Sequence, residues 1–204
     1  RCTQNPTFGE EWRKGWHPEQ VKPKGSDAHI LVVGAGPAGL EAAHALGKRG
    51  YRVTIAEARR EAGGRVTRES ALPNLNAWAR VRDYRLGQIA SMANVGMYLE
   101  SELTAGQVLE LGADHVAIAA GSTWQRDGRG RALHDPIAGA NADRCYSPDD
   151  IMDGRRPPSG PVVVFDDDHY YMGSMRADLL AGEGYRGTRG PVTRLNRAIS
   201  SGGS

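Results

Sequence analysis

Cysteine is scarce in this chain. Its 204 residues hold two, Cys2 and Cys145, far apart in sequence. Such a pair makes no disulfide framework, and no CxxC motif is present for dithiol redox chemistry. Long apolar runs are also missing. None approaches the roughly 18 residues that span a bilayer, so no membrane partner is expected. The N-terminus lacks the charged-then-apolar pattern of a signal peptide. It opens on Arg1 rather than Met, which suggests a piece of a longer protein. Neither sign of charge dominates: 26 Lys and Arg face 24 Asp and Glu, a net of +2. No basic patch interleaves with aromatics, so nucleic acid is not an expected partner. These absences lead us to expect a cytoplasmic protein, or a part of one.

Against this background the stretch from His29 to Arg65 stands out: HILVVGAGPAGLEAAHALGKRGYRVTIAEARREAGGR. Ile30 to Val33 is a continuous apolar run, suited to a strand buried on both faces. Gly34-Ala35-Gly36-Pro37-Ala38-Gly39 follows at once. Gly34 permits the tight turn out of the strand. Gly36 lets the backbone approach a pyrophosphate, and Gly39 lets the next helix pack closely on the sheet. That helix is expected from about Pro37 to Lys48, with Pro37 in the first turn, where a missing N–H costs nothing. Its N-terminus, around Ala38 and Gly39, offers free N–H groups and a partial positive charge to phosphates. Gly50 closes the helix, and Arg52 to Ala56 reads as the second strand. Glu57 stands at its end, where a ribose-binding acid is expected. Its carboxylate would accept both ribose hydroxyls and repel a 2′-phosphate. Gly63-Gly64-Arg65 adds a second glycine pair, which points to flavin-type sites, and Arg65 could pair with the pyrophosphate. The expected ligand is an adenine nucleotide of the flavin type.

The rest of the chain is organised around this unit. Residues 1–26 are polar and without period, an irregular segment arriving from an upstream region. Its Trp12 and Trp16 suggest packing against something; a disordered leader is the alternative. A helix is expected over roughly 76–94, from Trp78, Val81, Tyr84 and Ile89. A third strand is read at Met97–Leu99. Thr104 is a candidate N-cap for a short helix. His115 to Gly121 reads as another buried strand ending in a small-residue turn. Ser147 caps a short helix with Pro148 at its first position. The first domain is expected to span 27–157.

Pro161 to Phe165 opens a second, incomplete βα unit over 158–185, as a new buried strand. The glycine fingerprint is missing there, and Asp166-Asp167-Asp168 replaces it. Those carboxylates would repel phosphate. Two readings stand: a dinucleotide-type domain that no longer takes NAD(P)H, or a solvated turn and helix cap. Residues 186–204 hold four arginines, no acids and no apolar run. They read as a disordered or aberrant tail. The fold class is α/β, a Rossmann-like nucleotide-binding domain followed, on the first of these readings, by the truncated start of a second Rossmann-like domain.

Arg1-Cys2-Thr3-Gln4-Asn5-Pro6 and Gly9 to Glu19 (GEEWRKGWHPE) resemble one family, as does VVVFDDDHYYMG at Val162–Gly173. It is the iron–sulfur flavoproteins that join an old-yellow-enzyme-like barrel to two dinucleotide-type domains. Trimethylamine, dimethylamine and histamine dehydrogenases belong to it, with 2,4-dienoyl-CoA reductase. The aspartate run looks like the amine dehydrogenase branch. The resemblance implies a full-length oxidoreductase in which substrate reduces FMN in the barrel. Electrons then pass to a [4Fe–4S] cluster and on to an acceptor such as an electron-transfer flavoprotein. It implies Cys2 as the fourth cluster ligand, since Thr-Gln-Asn follows it, with thiolates the usual ligands of such clusters. It implies FAD in the reductase branch and ADP in the amine dehydrogenases, held by Gly34, Gly36, Gly39, Glu57, Gly64 and Arg65. It also implies a homo-oligomer at full length and an interrupted nucleotide domain whose closing segment lies beyond this chain. No catalytic residue is assigned, and the isolated chain is expected to be inactive. Cys145 matches no motif and reads as structural. Two other functions compete: a nucleotide-binding module without redox activity, and a self-contained FAD-dependent NAD(P)H reductase of the disulfide-reductase-like class. The aspartate run and the lack of CxxC argue against the latter.

Overall fold

A computed structural model describes residues 8–15, 20–131, 133–140, 143–167 and 170–190. The chain divides into two compact units. The first runs to Thr67 and resumes over Trp78–Gly121; the second takes Arg68–Ala77 and continues from Ser122.

The first unit contains a one-turn helix α1 (Glu11–Lys14), β1 (His29–Val33), α2 (Pro37–Arg49), β2 (Arg52–Ala56), the start of α3 (Arg65–Glu69), α4 (Ala79–Ala90), β3 (Val95–Tyr98), α5 (Ala105–Glu110) and β4 (His115–Ile118). Its four strands form a parallel sheet in the order β3-β2-β1-β4. The central strand β1 aligns Val33 with Ala56 on β2 and with Ile118 on β4. Both neighbours of the glycine turn therefore end at one level, the carboxyl edge where ligands of open α/β sheets bind.

The core lies between this sheet and α2. Leu31, Val32, Leu40, Val53 and Ile55 are essentially inaccessible, each burial contributing about 1.5–3 kcal/mol. Gly39, Leu40, Ala43, His44 and Gly47 make the buried stripe of α2, a spacing that keeps them on one helical face. Before β1, an irregular strap crosses the C-terminal end of α2. The Lys24 amide donates to Arg49 O at 2.7 Å and the Gly25 amide to the Tyr51 hydroxyl at 3.0 Å.

Several expectations are corrected. The helix expected over 76–94 is shorter: it ends at Ala90, and the Asn94 side-chain Nδ2 donates to the carbonyls of Gly47 and Tyr51 (2.9 and 2.7 Å), tying the chain into β3 instead. Its buried face is formed by Arg85 and Ile89, while Tyr84 is exposed. β3 begins at Val95, two residues before the apolar trio that marked it. α3 follows the second glycine pair, where no helix was expected. β4 is not a buried strand: Ile118 is 82% exposed, since β4 pairs only with β1 among the described residues. Trp12 is 76% exposed; Trp16 lies outside the described residues.

The second unit contains α6 (Pro148–Met152), β5 (Pro161–Phe165), α7 (Tyr171–Gly182) and β6 (Arg186–Gly190). Ser147 and Asp150 close a capping box on α6, two orphan donors satisfied reciprocally. Within this unit Arg68 bonds Asp153 at 2.9 Å and Asp149 at 3.3 Å, and the Tyr171 hydroxyl donates to the buried Glu69 at 3.0 Å. β5 and β6 pair in parallel from Pro161↔Arg186 to Phe165↔Gly190. Residues 186–190, expected in a disordered tail, thus form the strand that the βα plan requires; backbone pairing with β5 substitutes for an apolar pattern. Residues 191–204 lie outside the described residues. β5 itself is half open, with Val163 59% exposed. Asp166 and Asp167 are buried rather than solvated. The Asp166 carboxyl carbon lies 2.5 Å from where a Cβ on Gly173 would stand, so the acid is pressed against the first turn of α7. Asp168 lies outside the described residues.

Candidate adenine-nucleotide site

The first glycine turn is built by contacts that tolerate no side chain. Gly34 has φ +100°, a left-handed conformation that favours glycine. A Cβ there would collide with the carbonyl of Ala119, at the end of β4. A Cβ on Gly39 would collide with the carbonyl of Gly34. Gly36 differs: a Cβ there would meet nothing within 4 Å. Close packing thus explains Gly34 and Gly39, and leaves Gly36 facing open space beside the helix start.

Gly36 is also the N-cap of α2, with no side-chain cap and no acidic residue in the first turn. Pro37 occupies the first position. The first intrahelical bond runs from Leu40 N to Gly36 O at 2.9 Å. The amides of Ala38 and Gly39 precede it, and the dipole of a 13-residue helix adds partial positive charge there. Ala38 is exposed. Helix starts of this kind accommodate anions.

Glu57 stands one residue beyond β2 and is 7% exposed. Its Oε2 accepts from Ala35 N at 2.6 Å, and its Oε1 accepts from Arg59 N at 2.9 Å. The acid is thereby locked to the glycine turn. A carboxylate has about four acceptor sites, so two protein donors leave each oxygen able to accept once more. The backbone of Glu57 is fixed as well: its amide donates to Tyr98 O and its carbonyl accepts from Ser101 N, at 2.9 and 2.8 Å.

The second glycine pair docks onto the first turn. Gly63 N donates to Ala35 O at 2.7 Å. A Cβ on Gly64 would stand 3.1 Å from the Gly36 Cα, so the two turns touch backbone to backbone. Arg65 follows as the first residue of α3 and is half-buried. The structure therefore gathers Gly34, Gly36, Pro37, Ala38, Gly39, Glu57, Gly64 and Arg65 around one edge of the sheet. Sequence reasoning missed three residues that secure the second turn: Arg82, Glu61 and Thr67. Arg82 sits in a helix read only for its apolar spacing, so nothing in that pattern marked it. Cys2 lies outside the described residues. Cys145 is half-buried, with its thiol 3.4 Å from the Gly139 carbonyl. No group of metal-ligating side chains occurs among the described residues, and no described helix is long and apolar enough to cross a membrane.

Comparison with known proteins agrees with this geometry. Residues 32–96 match the NAD(P)-binding Rossmann-like domain family. Dimethylamine dehydrogenase of Hyphomicrobium sp. (strain x) is 37% identical over 201 residues, covering 95% of this chain and 27% of that protein. The solved structure of 6-hydroxypseudooxynicotine amine oxidase from Pseudomonas geniculata N1 is 54% identical, with TM-score 0.89, over 94% of this chain and 29% of that one. Histamine dehydrogenase from Rhizobium sp. 4-9 is 52% identical, with TM-score 0.87, over 94% and 30%. The chain therefore spans less than a third of the length of these relatives. Its homologues are oxidoreductases that include amine dehydrogenases, which supports the amine dehydrogenase branch of the family it resembles.

Proposed function

We propose that this chain is the adenine-nucleotide-binding portion of an amine-oxidising iron–sulfur flavoprotein. The observation that carries the reading is the open, uncapped helix start at Gly36, beside a Glu57 carboxylate locked to Ala35 N at 2.6 Å. The amides of Ala38 and Gly39, with Arg65, would receive the diphosphate. Glu57 would accept both ribose hydroxyls through its remaining lone pairs and would repel a 2′-phosphate. The amine branch favours ADP over FAD.

In the longer protein FMN and a [4Fe–4S] cluster would supply the redox chemistry, with Cys2 as a cluster ligand. An electron-transfer flavoprotein would be the acceptor, and the enzyme would assemble as a cytoplasmic homo-oligomer. The chain's own residues bind and orient the nucleotide; they do not turn over substrate. The β5–α7 unit would not take NAD(P)H, because the Asp166 carboxylate already abuts the helix turn at Gly173.

The test is calorimetric titration with ADP, beside an absorbance spectrum of the purified chain. We expect ADP to bind, and Glu57→Ala to weaken it by about tenfold or more, as expected for losing charge-assisted hydrogen bonds. ADP binding by calorimetry with no flavin bands in the spectrum supports ADP; flavin bands support FAD. Unchanged ADP affinity in Glu57→Ala would contradict the ribose assignment.

A further inference from the structure

The second glycine turn runs straight into α3 at Arg65, and it must face the first turn for Gly64 and Arg65 to reach a diphosphate. One side chain from α4 supplies the restraint. Arg82 has 18% of its side chain exposed. Its aliphatic stem lies on Gly63: a Cβ there would stand 2.9 Å from Arg82 Cγ and closer still to Cδ. Its guanidinium then closes around the turn. Nη1 donates to Glu61 Oε1 at 2.8 Å and to Thr67 Oγ1 at 3.1 Å, while Nε donates to Asp83 Oδ1 at 2.7 Å. Thr67 in turn donates from its hydroxyl to Ala62 O at 3.1 Å. The two ends of the turn, Glu61 and Thr67, are thus joined through one nitrogen, Nη1, while Nε ties the same group to Asp83 on α4. Inside this bracket Gly63 N bonds Ala35 O, and Gly64 meets Gly36.

We infer that Arg82 is a positioning residue for the nucleotide diphosphate, holding the Gly63–Arg65 turn against the Gly34–Gly39 turn without touching the ligand. This inference rests on the nucleotide reading above and adds a residue to it. A structural role alone would stabilise the unit evenly. A positioning role acts on the diphosphate and leaves the adenosine moiety, held through Glu57, unaffected.

The experiment uses two variants of the chain, Arg82→Met, which keeps a stem over Gly63 and removes the fork, and Thr67→Val, which removes one acceptor with no change of charge. ADP is titrated by calorimetry and adenosine by chemical-shift perturbation, with amide exchange followed in parallel. For Arg82→Met we expect ADP affinity to fall about tenfold, the effect of losing charge-assisted restraint, while adenosine affinity stays within about twofold. The Gly63 amide should exchange faster while those of β1 and β2 do not. Thr67→Val should move the same quantities in the same direction by less, and it decides the matter if Arg82→Met does not fold. ADP and adenosine affinities falling together, or unchanged ADP affinity with Glu57→Ala still impaired, would overturn the positioning role alone. Failure of the unsubstituted chain to bind ADP would overturn the nucleotide reading and this inference with it.

Discussion

Gly36 and Gly39 stand one helical turn apart, yet a methyl group would do different things at each. At Gly36, φ is −72° and a Cβ would meet open space. Gly36→Ala should therefore leave the thermal midpoint nearly unchanged while ADP affinity drops, because the methyl would stand where the proposed diphosphate would approach. At Gly39 the Cβ runs into the Gly34 carbonyl. Gly39→Ala should cost about 3 kcal/mol of stability by overpacking. Thermal unfolding beside ADP calorimetry separates the two; equal stability losses would mean that Gly36 is not the ligand-facing position. The residues that bear this contrast were legible in the sequence, since the demands on a glycine turn are local. The partners of Glu57 were not, because they depend on how closely β2 approaches the turn.

α2 carries the amides proposed to receive the diphosphate, and it packs against α4. Arg85 is buried and donates to Glu41 on α2 at 2.6 Å. Beside this pair, His44 is buried with neither ring nitrogen hydrogen-bonded, set edge-on against Tyr84 with centroids 6.0 Å apart. Burial holds the imidazole below its ordinary value of 6.5, reinforced by Lys48 and Arg85 and opposed by Glu41. The folded state therefore holds a proton on His44 less readily than the unfolded chain does. Its contribution is complete above about pH 6.5 and is lost as pH falls below that, because the unfolded chain then binds the extra proton. His44→Leu should flatten the acid side of the thermal midpoint against pH; an unaltered profile would rule out this source. α5 offers a simpler case, with a capping box in which the Gln107 amide donates to Thr104 Oγ1. Thr104→Ala should cost about 1 kcal/mol, read as faster amide exchange confined to residues 105–110. Both caps, Thr104 and Ser147, were legible because capping depends on residues three apart. The buried face of α4 was not: apolar spacing pointed to Tyr84, whereas burial of Arg85 depends on an acid 44 residues earlier.

Across the whole molecule, the sheet of the first unit stops at β4, which bonds β1 on one side only among the described residues. Val116 and Ile118 on this strand, with Leu109 and Leu111 just before it, are all exposed, Ile118 the most at 82%. An apolar edge strand of this kind promotes association. Ile118→Lys should reduce concentration-dependent light scattering of the isolated chain without lowering its thermal midpoint; a large loss of stability would show instead that Ile118 is a core residue. What the sequence by itself determined is the βαβ unit with its glycines and acid, because turn conformation, helix capping and strand apolarity act between near neighbours. What only the tertiary structure decided is which strand lies at an edge, that Arg186–Gly190 pairs as a strand with no apolar pattern, and that Arg82 brackets the second glycine turn. Those depend on backbone pairing and polar contacts between segments distant in the chain, which leave no periodic trace in it.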